Sequence, residues 1–211
     1  MSHVIFNYDE AKAEILKKWI GGRGFLKDEE KELLLNISLT LIKNRDELLR
    51  IYDEISTEEE HFLHLNNEKL ELSLENKKKI VSVLIDFSEE ILPLGSVVVL
   101  KDDFIRARNS DEEVKIIITH RFLANEKSNI YFTYSGTVYP AGNLLQNKLI
   151  HFNEKSIKKI CFKGFSDEVD KAYVLSMKNN LLFNKKFNSI NFADDRQIEI
   201  FKDEARKDRE V

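Results

Sequence analysis

Apolar side chains in the first part of the chain recur at helical spacing. Between Asp9 and Ile20, the residues Ile15, Leu16, Trp19 and Ile20 gather on one side of a helix, and Gly21, Gly22 and Gly24 end it. Asp28 then stands as the N-cap of a long predicted helix through about Ile55, with Asp28, Glu29 and Glu30 at the positive end of its dipole. Leu34, Leu41, Leu48 and Ile55 repeat every seven residues, and Ile37, Asn44 and Ile51 keep the same period, so one polar residue falls inside an apolar seam. Leu35, Ile42 and Leu49 form a second row beside it. The resulting face is wider than a two-helix contact requires, and part of it is expected to meet another protein. A further helix is predicted from Asn76 to Glu90 through Ile80, Val83, Leu84 and Phe87. Between these helices Leu70, Leu72 and Leu74 alternate, which predicts a hairpin over 61–74 with Asn66-Asn67 as its turn.

The period changes at Pro93, which stops helix continuation. Ser96–Lys101, Val114–Phe122, Asn129–Tyr134, Lys148–Phe152 and Ile157–Phe162 are short runs rich in β-branched and aromatic residues, and each predicts a strand. Asp167 opens a predicted helix through about Leu182. From Ala193 onward the thin stripe Ile198, Phe201 and Ala205 predicts a last, charged helix. The fold class expected is α+β: a helical region over 1–90, a small, mainly antiparallel β domain over 91–182, and a charged helical tail over 183–211.

Charge supports the division. Residues 1–90 hold 13 basic and 20 acidic side chains (−7), and residues 91–211 hold 20 and 17 (+3), which together give the net −4. That balance argues against an obligate electrostatic binder of nucleic acid. Single Cys161 excludes an internal disulfide and a cysteine-rich zinc site. No apolar run approaches the roughly 20 residues of a membrane span, and the opening MSHVIFNYDEAK lacks the pattern of a secretory signal. A cytoplasmic protein without membrane insertion is expected.

Motifs with chemical potential are weak. Gly21-Gly22-Arg23-Gly24 follows no strand and lacks the Gly-Lys-Ser/Thr ending, so it reads as a helix-to-helix turn. His61 and His64 are spaced three apart without a third metal ligand. Ser96 lacks the second glycine of a nucleophile elbow; His120 and His151 are its candidate bases, and also those of Cys161. Cys161, within Ile160-Cys161-Phe162, is expected in the core. Tyr131, Phe132, Tyr134 and Tyr139, with Arg121 and Lys127 nearby, have the makings of a base-stacking sheet, and Lys163-Gly164-Phe165 matches the start of an RNA-recognition signature, but Ser166-Asp167-Glu168 breaks the signature and alternating aromatics in a small sheet are mostly core, so no nucleic-acid partner is expected. No catalytic group, metal or cofactor is expected. The predicted protein-binding residues are Leu34, Leu35, Leu41, Ile42, Leu48 and Leu49.

LPLGSVVVLK (92–101), KIIITHRFL (115–123), YFTYSGTVYPAGN (131–143) and HFNEKSIKKICFKGFSDE (151–168) resemble, in order and spacing, a small-domain family, formerly of unknown function, encoded beside type VII secretion loci with LXG-type toxins. Pro93, Gly95, Ser96, Tyr139, Pro140, Gly142, Phe152, Asn153, Ile157, Gly164 and Phe165 fill its motif, and Ala141 stands where the family carries an acidic residue. The resemblance covers about 91–182. It implies a non-catalytic adaptor or targeting chaperone that engages an LXG-type toxin, or another helical secretion protein, before export; an immunity protein is the alternative. Pro93, Gly95, Ser96, Tyr139, Pro140, Gly142, Asn153 and Gly164 are expected to be structural, the glycines serving turns or close backbone approach, and Asn153 to cap the segment 154–157.

Overall fold

A computed structural model describes residues 7–55, 62–65, 68–101, 113–142 and 149–207. The chain forms two compact units, Met1–Glu90 with Lys178–Asn184, and Ile91–Met177 with Lys185–Val211. The fold class is α+β, with helices first, an antiparallel sheet in the middle and helices last.

In the first unit, α1 (Tyr8–Gly21) starts where the Asn7 side chain accepts from the Glu10 amide at 3.2 Å. The helix predicted from Asp28 to Ile55 is two helices, α2 (Asp28–Leu41) and α3 (Arg45–Ile55). Its N-cap is Lys27, whose amide donates to the Glu30 carboxylate at 2.7 Å, and Asp28 is the first helical residue. The break has a local cause. The Asn44 amide bonds back to the Leu41 carbonyl, and the Asn44 side chain accepts from the Glu47 amide at 3.3 Å. The polar residue in the heptad seam is thus the cap of a new helix. Each half then finds its own companion, α1 for α2 and α4 (Leu74–Ser88) for α3. Leu34, Ile37, Leu41, Leu48 and Ile55 are buried in this way.

The predicted hairpin is present as β1 (Phe62–Leu65) and β2 (Glu68–Glu71), antiparallel with buried Leu63 opposite buried Leu70. Its expected turn, Asn66-Asn67, lies outside the described residues. α4 begins two residues earlier than Asn76, with Ser73 as its cap, and buries Ile80, Val81, Leu84, Ile85 and Phe87. Its last turn is closed by Lys178, whose Nζ donates to the Phe87 carbonyl at 3.0 Å and to the Glu89 carbonyl. Carbonyls at a helix end have no intrahelical donor, and a fully buried lysine supplies one here.

The second unit is built on a sheet of order β6-β5-β4-β3-β7: β3 (Val97–Leu100), β4 (Lys115–Asn125), β5 (Ile130–Val138), β6 (Ile150–Phe152) and β7 (Ile157–Phe162), each antiparallel to its neighbours. The short β8 (Asn188–Ser189) joins β5 in parallel. Val98, Val99, Ile116, Ile118, Tyr134 and Phe152 form its core. Tyr134 packs its ring 5.4 Å from that of Phe152, and its hydroxyl accepts from the Leu92 amide at 2.9 Å; with Tyr131 it is core, as expected of alternating aromatics, while Tyr139 is exposed. α5 (Glu168–Lys178) starts at Asp167, whose side chain accepts from the Asp170 amide at 2.9 Å. A π-helical stretch, Asn179–Asn184, continues it, and α6 (Asp195–Lys207) follows. Among the described residues no helix is long and apolar enough to cross a membrane.

Candidate functional site

Among the described residues β7 is the end strand of its sheet, with neighbours on one side only. From β7 into α5 the chain leaves a run of large apolar side chains in water: Ile160 is 50% exposed, Phe162 60%, Phe165 82% and Val169 76%, with Tyr173 and Leu94 near half. Ile160 is registered opposite Val98, which is fully buried, so an apolar row of the sheet runs out uncovered at its edge. Val169 and Tyr173, four apart on α5, share its outer face, while Val174, Leu175 and Lys178 are buried. Phe162 is registered opposite Val97 and so lies on the other face from Ile160, and exposed apolar groups in this number along one segment mark a place that another molecule covers.

Two devices hold this surface. The Ser96 hydroxyl, fully buried, donates to the Pro93 carbonyl at 2.7 Å and accepts from the Gly164 amide at 2.9 Å, tying the strand before Phe165 to the turn before β3. A Cβ at Gly164 would stand 2.1 Å from the Leu94 carbonyl oxygen, so only glycine permits this approach. The Arg121 guanidinium, with its side chain 4% exposed, bonds Asp170 at 2.6 Å and lies over the Tyr173 ring at 5.5 Å, which fixes α5 on the sheet. Ser166 donates to the other oxygen of Asp170. Arg121 holds the Asp170 carboxyl below the ordinary carboxylate range, and Ser166 adds to the effect. Lys158 forms an exposed pair with Glu113 at 3.1 Å, and this bond, helped by Lys159 and Lys115, draws the Glu113 carboxyl down as well.

The remaining motif residues are structural in placement. Gly95 takes φ +79°, a region that disfavours side chains, and its amide donates to the Ile118 carbonyl. Tyr139-Pro140 is a cis peptide, Tyr139 is exposed, and the Gly142 amide closes the turn onto the Val138 carbonyl. Asn153 precedes a 3₁₀ turn, Glu154–Ser156, but its side chain makes no bond to that turn's backbone; it accepts from the Ser156 hydroxyl at 3.3 Å instead.

The six residues predicted to grip a partner divide in two. Leu34, Leu41 and Leu48 are core residues of the first unit, while Leu35, Ile42 and Leu49 are half-buried. Leu35 and Ile20 form the floor of a cleft of about 460 Å³ between α1 and α2, rimmed by Lys17, Lys31 and Glu32. Cys161, expected in the core, is exposed, at a bulge of the end strand β7 where the β3 register passes over it. The candidate bases are engaged elsewhere: His120 with the Thr119 hydroxyl at 2.9 Å, and His151 with that of Ser135 at 3.1 Å. Burial, then the nearby His120, lowers the His151 imidazole below its ordinary range. Neither is hydrogen-bonded to Ser96 or Cys161. His61 and the side chain of His64 lie outside the described residues, and among those residues no three His, Cys, Asp or Glu side chains are grouped to hold a metal. Sequence reasoning did not single out Ile160, Phe162, Val169 and Tyr173. The signal available was an apolar run interleaved with lysines, the composition of an exposed sheet edge.

The second unit is thus a small antiparallel sheet carrying an α-helix and an uncovered apolar edge. Residues 91–173 match the family model described as "Domain of unknown function (DUF4176)". The match takes in β3 to β7 and the exposed part of α5, and so contains the whole apolar surface. No curated protein and no solved structure matches the chain.

Proposed function

We propose that this chain is a non-catalytic adaptor or targeting chaperone that binds an LXG-type toxin in the cytoplasm for type VII secretion. The observation that carries the reading is the uncovered run Ile160, Phe162, Phe165, Val169 and Tyr173 inside the segment that matches the family model. Keeping such side chains in water is costly, and a protein partner recovers that free energy. The Ser96 hydroxyl is spent on the Pro93 carbonyl and the Gly164 amide, and the Nδ1 atoms of His120 and His151 bond Thr119 and Ser135 instead of it, so Ser96 has no base beside it. The choice of an LXG-type toxin rests on the family resemblance of the 92–168 motifs. Half-buried Leu35 at the α1–α2 cleft offers a second contact for a helical client.

Co-expression with an LXG-type toxin tests the proposal. The two are expected to co-elute, and Phe165→Asp or Val169→Asp, both at highly exposed positions, is expected to abolish co-elution while circular dichroism stays unchanged. Absence of a complex at micromolar concentration, or a complex indifferent to both substitutions, overturns it. Truncated toxins separate the second reading: an adaptor holds the N-terminal export region, an immunity protein the C-terminal toxic region.

A further inference from the structure

The helix α6 lies outside the segment that matches the family model, and the β4–β5 hairpin on which it rests lies inside it. Gln197, Phe201 and Glu204 make the contact; at i, i+4 and i+7 they share one face of the helix. The Gln197 amide is used at both ends. Its Nε2 donates to the Ser128 and Asn129 carbonyls at 3.1 and 3.2 Å, and its Oε1 accepts from Asn188 Nδ2 at 2.9 Å and from the Asp194 amide at 3.2 Å. Phe201 packs its ring 5.3 Å from that of Phe132. Glu204 accepts from Asn125 Nδ2 at 2.8 Å and pairs with Lys127 at 2.5 Å. The turn's own carboxylate, Glu126, pairs with Lys185.

This specific pattern sits on a lightly held helix. No described side chain of α6 is buried, and Ile198, Ile200 and Phe201 all stay partly exposed. Lys127 is 81% exposed, so its pair with Glu204 contributes little. An element with few buried apolar contacts opens before the rest of its domain. We infer that the β4–β5 turn is a helix-binding seat that α6 fills in cis, and that an incoming helix with glutamine, an aromatic residue and glutamate at i, i+4 and i+7 takes it in trans. The glutamine meets the Ser128 and Asn129 carbonyls, the aromatic ring meets Phe132, and the glutamate meets Asn125 and Lys127. A helix supplies this spacing while satisfying its own backbone. Tethered α6 competes at an effective concentration on the order of millimolar, which sets the affinity an incoming helix must exceed. The seat uses none of the exposed apolar residues of β7 and α5, and the inference stands apart from the adaptor reading.

The probe is a fluorescent peptide of residues 194–207, and the receptor is the full-length chain with Gln197→Ala and Phe201→Ala, which loosen α6 and leave the turn and Phe132 unchanged. By anisotropy the peptide is expected to bind this variant with a micromolar Kd, and the wild type roughly a hundredfold more weakly because α6 fills its seat. A peptide carrying Gln197→Glu keeps the shape and loses both donated hydrogens, and it is expected to bind about tenfold more weakly. Phe132→Ala added to the receptor is expected to weaken the parent peptide similarly. Hydrogen exchange on the wild type gives an independent reading should the variant unfold: α6 amides are expected to exchange through local opening while those of β4 and β5 stay protected. No binding to a folded variant, equal binding of the two peptides, equal binding to variant and wild type, or α6 amides that exchange only with global unfolding overturns the inference. A wild-type dimer abolished by Gln197→Ala would give the seat to a second copy and overturn its assignment to a different helix.

Discussion

The Ser96 hydroxyl accepts the amide hydrogen of Gly164 across 68 residues of chain and donates to Pro93, joining three motif positions in one buried contact. Ser96→Ala leaves the Gly164 amide without its acceptor, and a buried unmet donor costs about 1–3 kcal/mol. Gly164→Ala drives a methyl group onto the Leu94 carbonyl, which cannot yield without moving the turn at Gly95, so a loss of about 3 kcal/mol or more is expected. Urea unfolding should rank the two variants in that order. A Gly164→Ala protein as stable as wild type would refute the close approach.

Lys178 gives a stability that depends on pH. Burial pushes its ammonium down to about 8, with Lys12 and Arg45 adding to the effect and Glu89 and Asp86 opposing it. The folded state therefore releases the proton before the unfolded chain does. Below about 8 both states are charged and the burial penalty is fully present; as pH rises toward the ordinary lysine value of 10.5, stability increases. Relative to Lys178→Met, the wild type is expected to gain on the order of 2 kcal/mol between neutral pH and about pH 10, measured by denaturant unfolding. Lys178→Met should also weaken the end of α4, because the Phe87 and Glu89 carbonyls lose their donor.

Lys178 also marks where sequence reading stops. In a helical pattern over 167–182 a lysine reads as solvated, and only the tertiary fold sets it under the end of α4. The strand Ile157–Phe162 was legible to the residue, because a β-branched run bounded by polar turns is a local signal. Its exposure was not legible, because edge position follows from strand order, with β3 lying between β4 and β7. The same limit placed Cys161 wrongly in the core. The division of the long helix at Asn44 was carried by the sequence yet hidden: the heptad continues through it, and a polar residue at such a position serves equally as a register marker or as a cap. Overlooking the cap lengthened the helix and overstated its spare apolar face.

Arg121 and Asp170 predict a loss of stability on the acid side. Asp170 titrates below the ordinary value of 3.8 because Arg121 and Ser166 donate to its ionised form. Its contribution is fully present above that value and is lost as pH falls through the lower, folded-state pKa. Asp170→Ala removes this acid dependence. It also strands a nearly buried guanidinium, at a cost on the order of 3 kcal/mol near neutral pH. Arg121→Met in the same background should restore part of the loss, and a double-mutant cycle by thermal unfolding measures the coupling. Additive single losses would show that the pair does not hold α5.

The two leucine rows of α2 and α3 differ in what they do, although the sequence presents them alike. Leu34 and Leu48 are fully buried in the first unit, and alanine at either is expected to cost about 2–5 kcal/mol through lost contacts and a residual cavity. Leu35 and Leu49 are only partly buried, and serine at either should cost less than alanine in the core, about 1 kcal/mol. Leu35 also floors the α1–α2 cleft, so Leu35→Asp is the more pointed probe of a client on the helical unit. With folding intact, a weaker toxin complex would assign the cleft a share of the grip. Unchanged affinity in Leu35→Asp, beside a complex lost in Val169→Asp, would place the whole grip on the β7–α5 surface and leave the helical unit's apolar rows to folding alone.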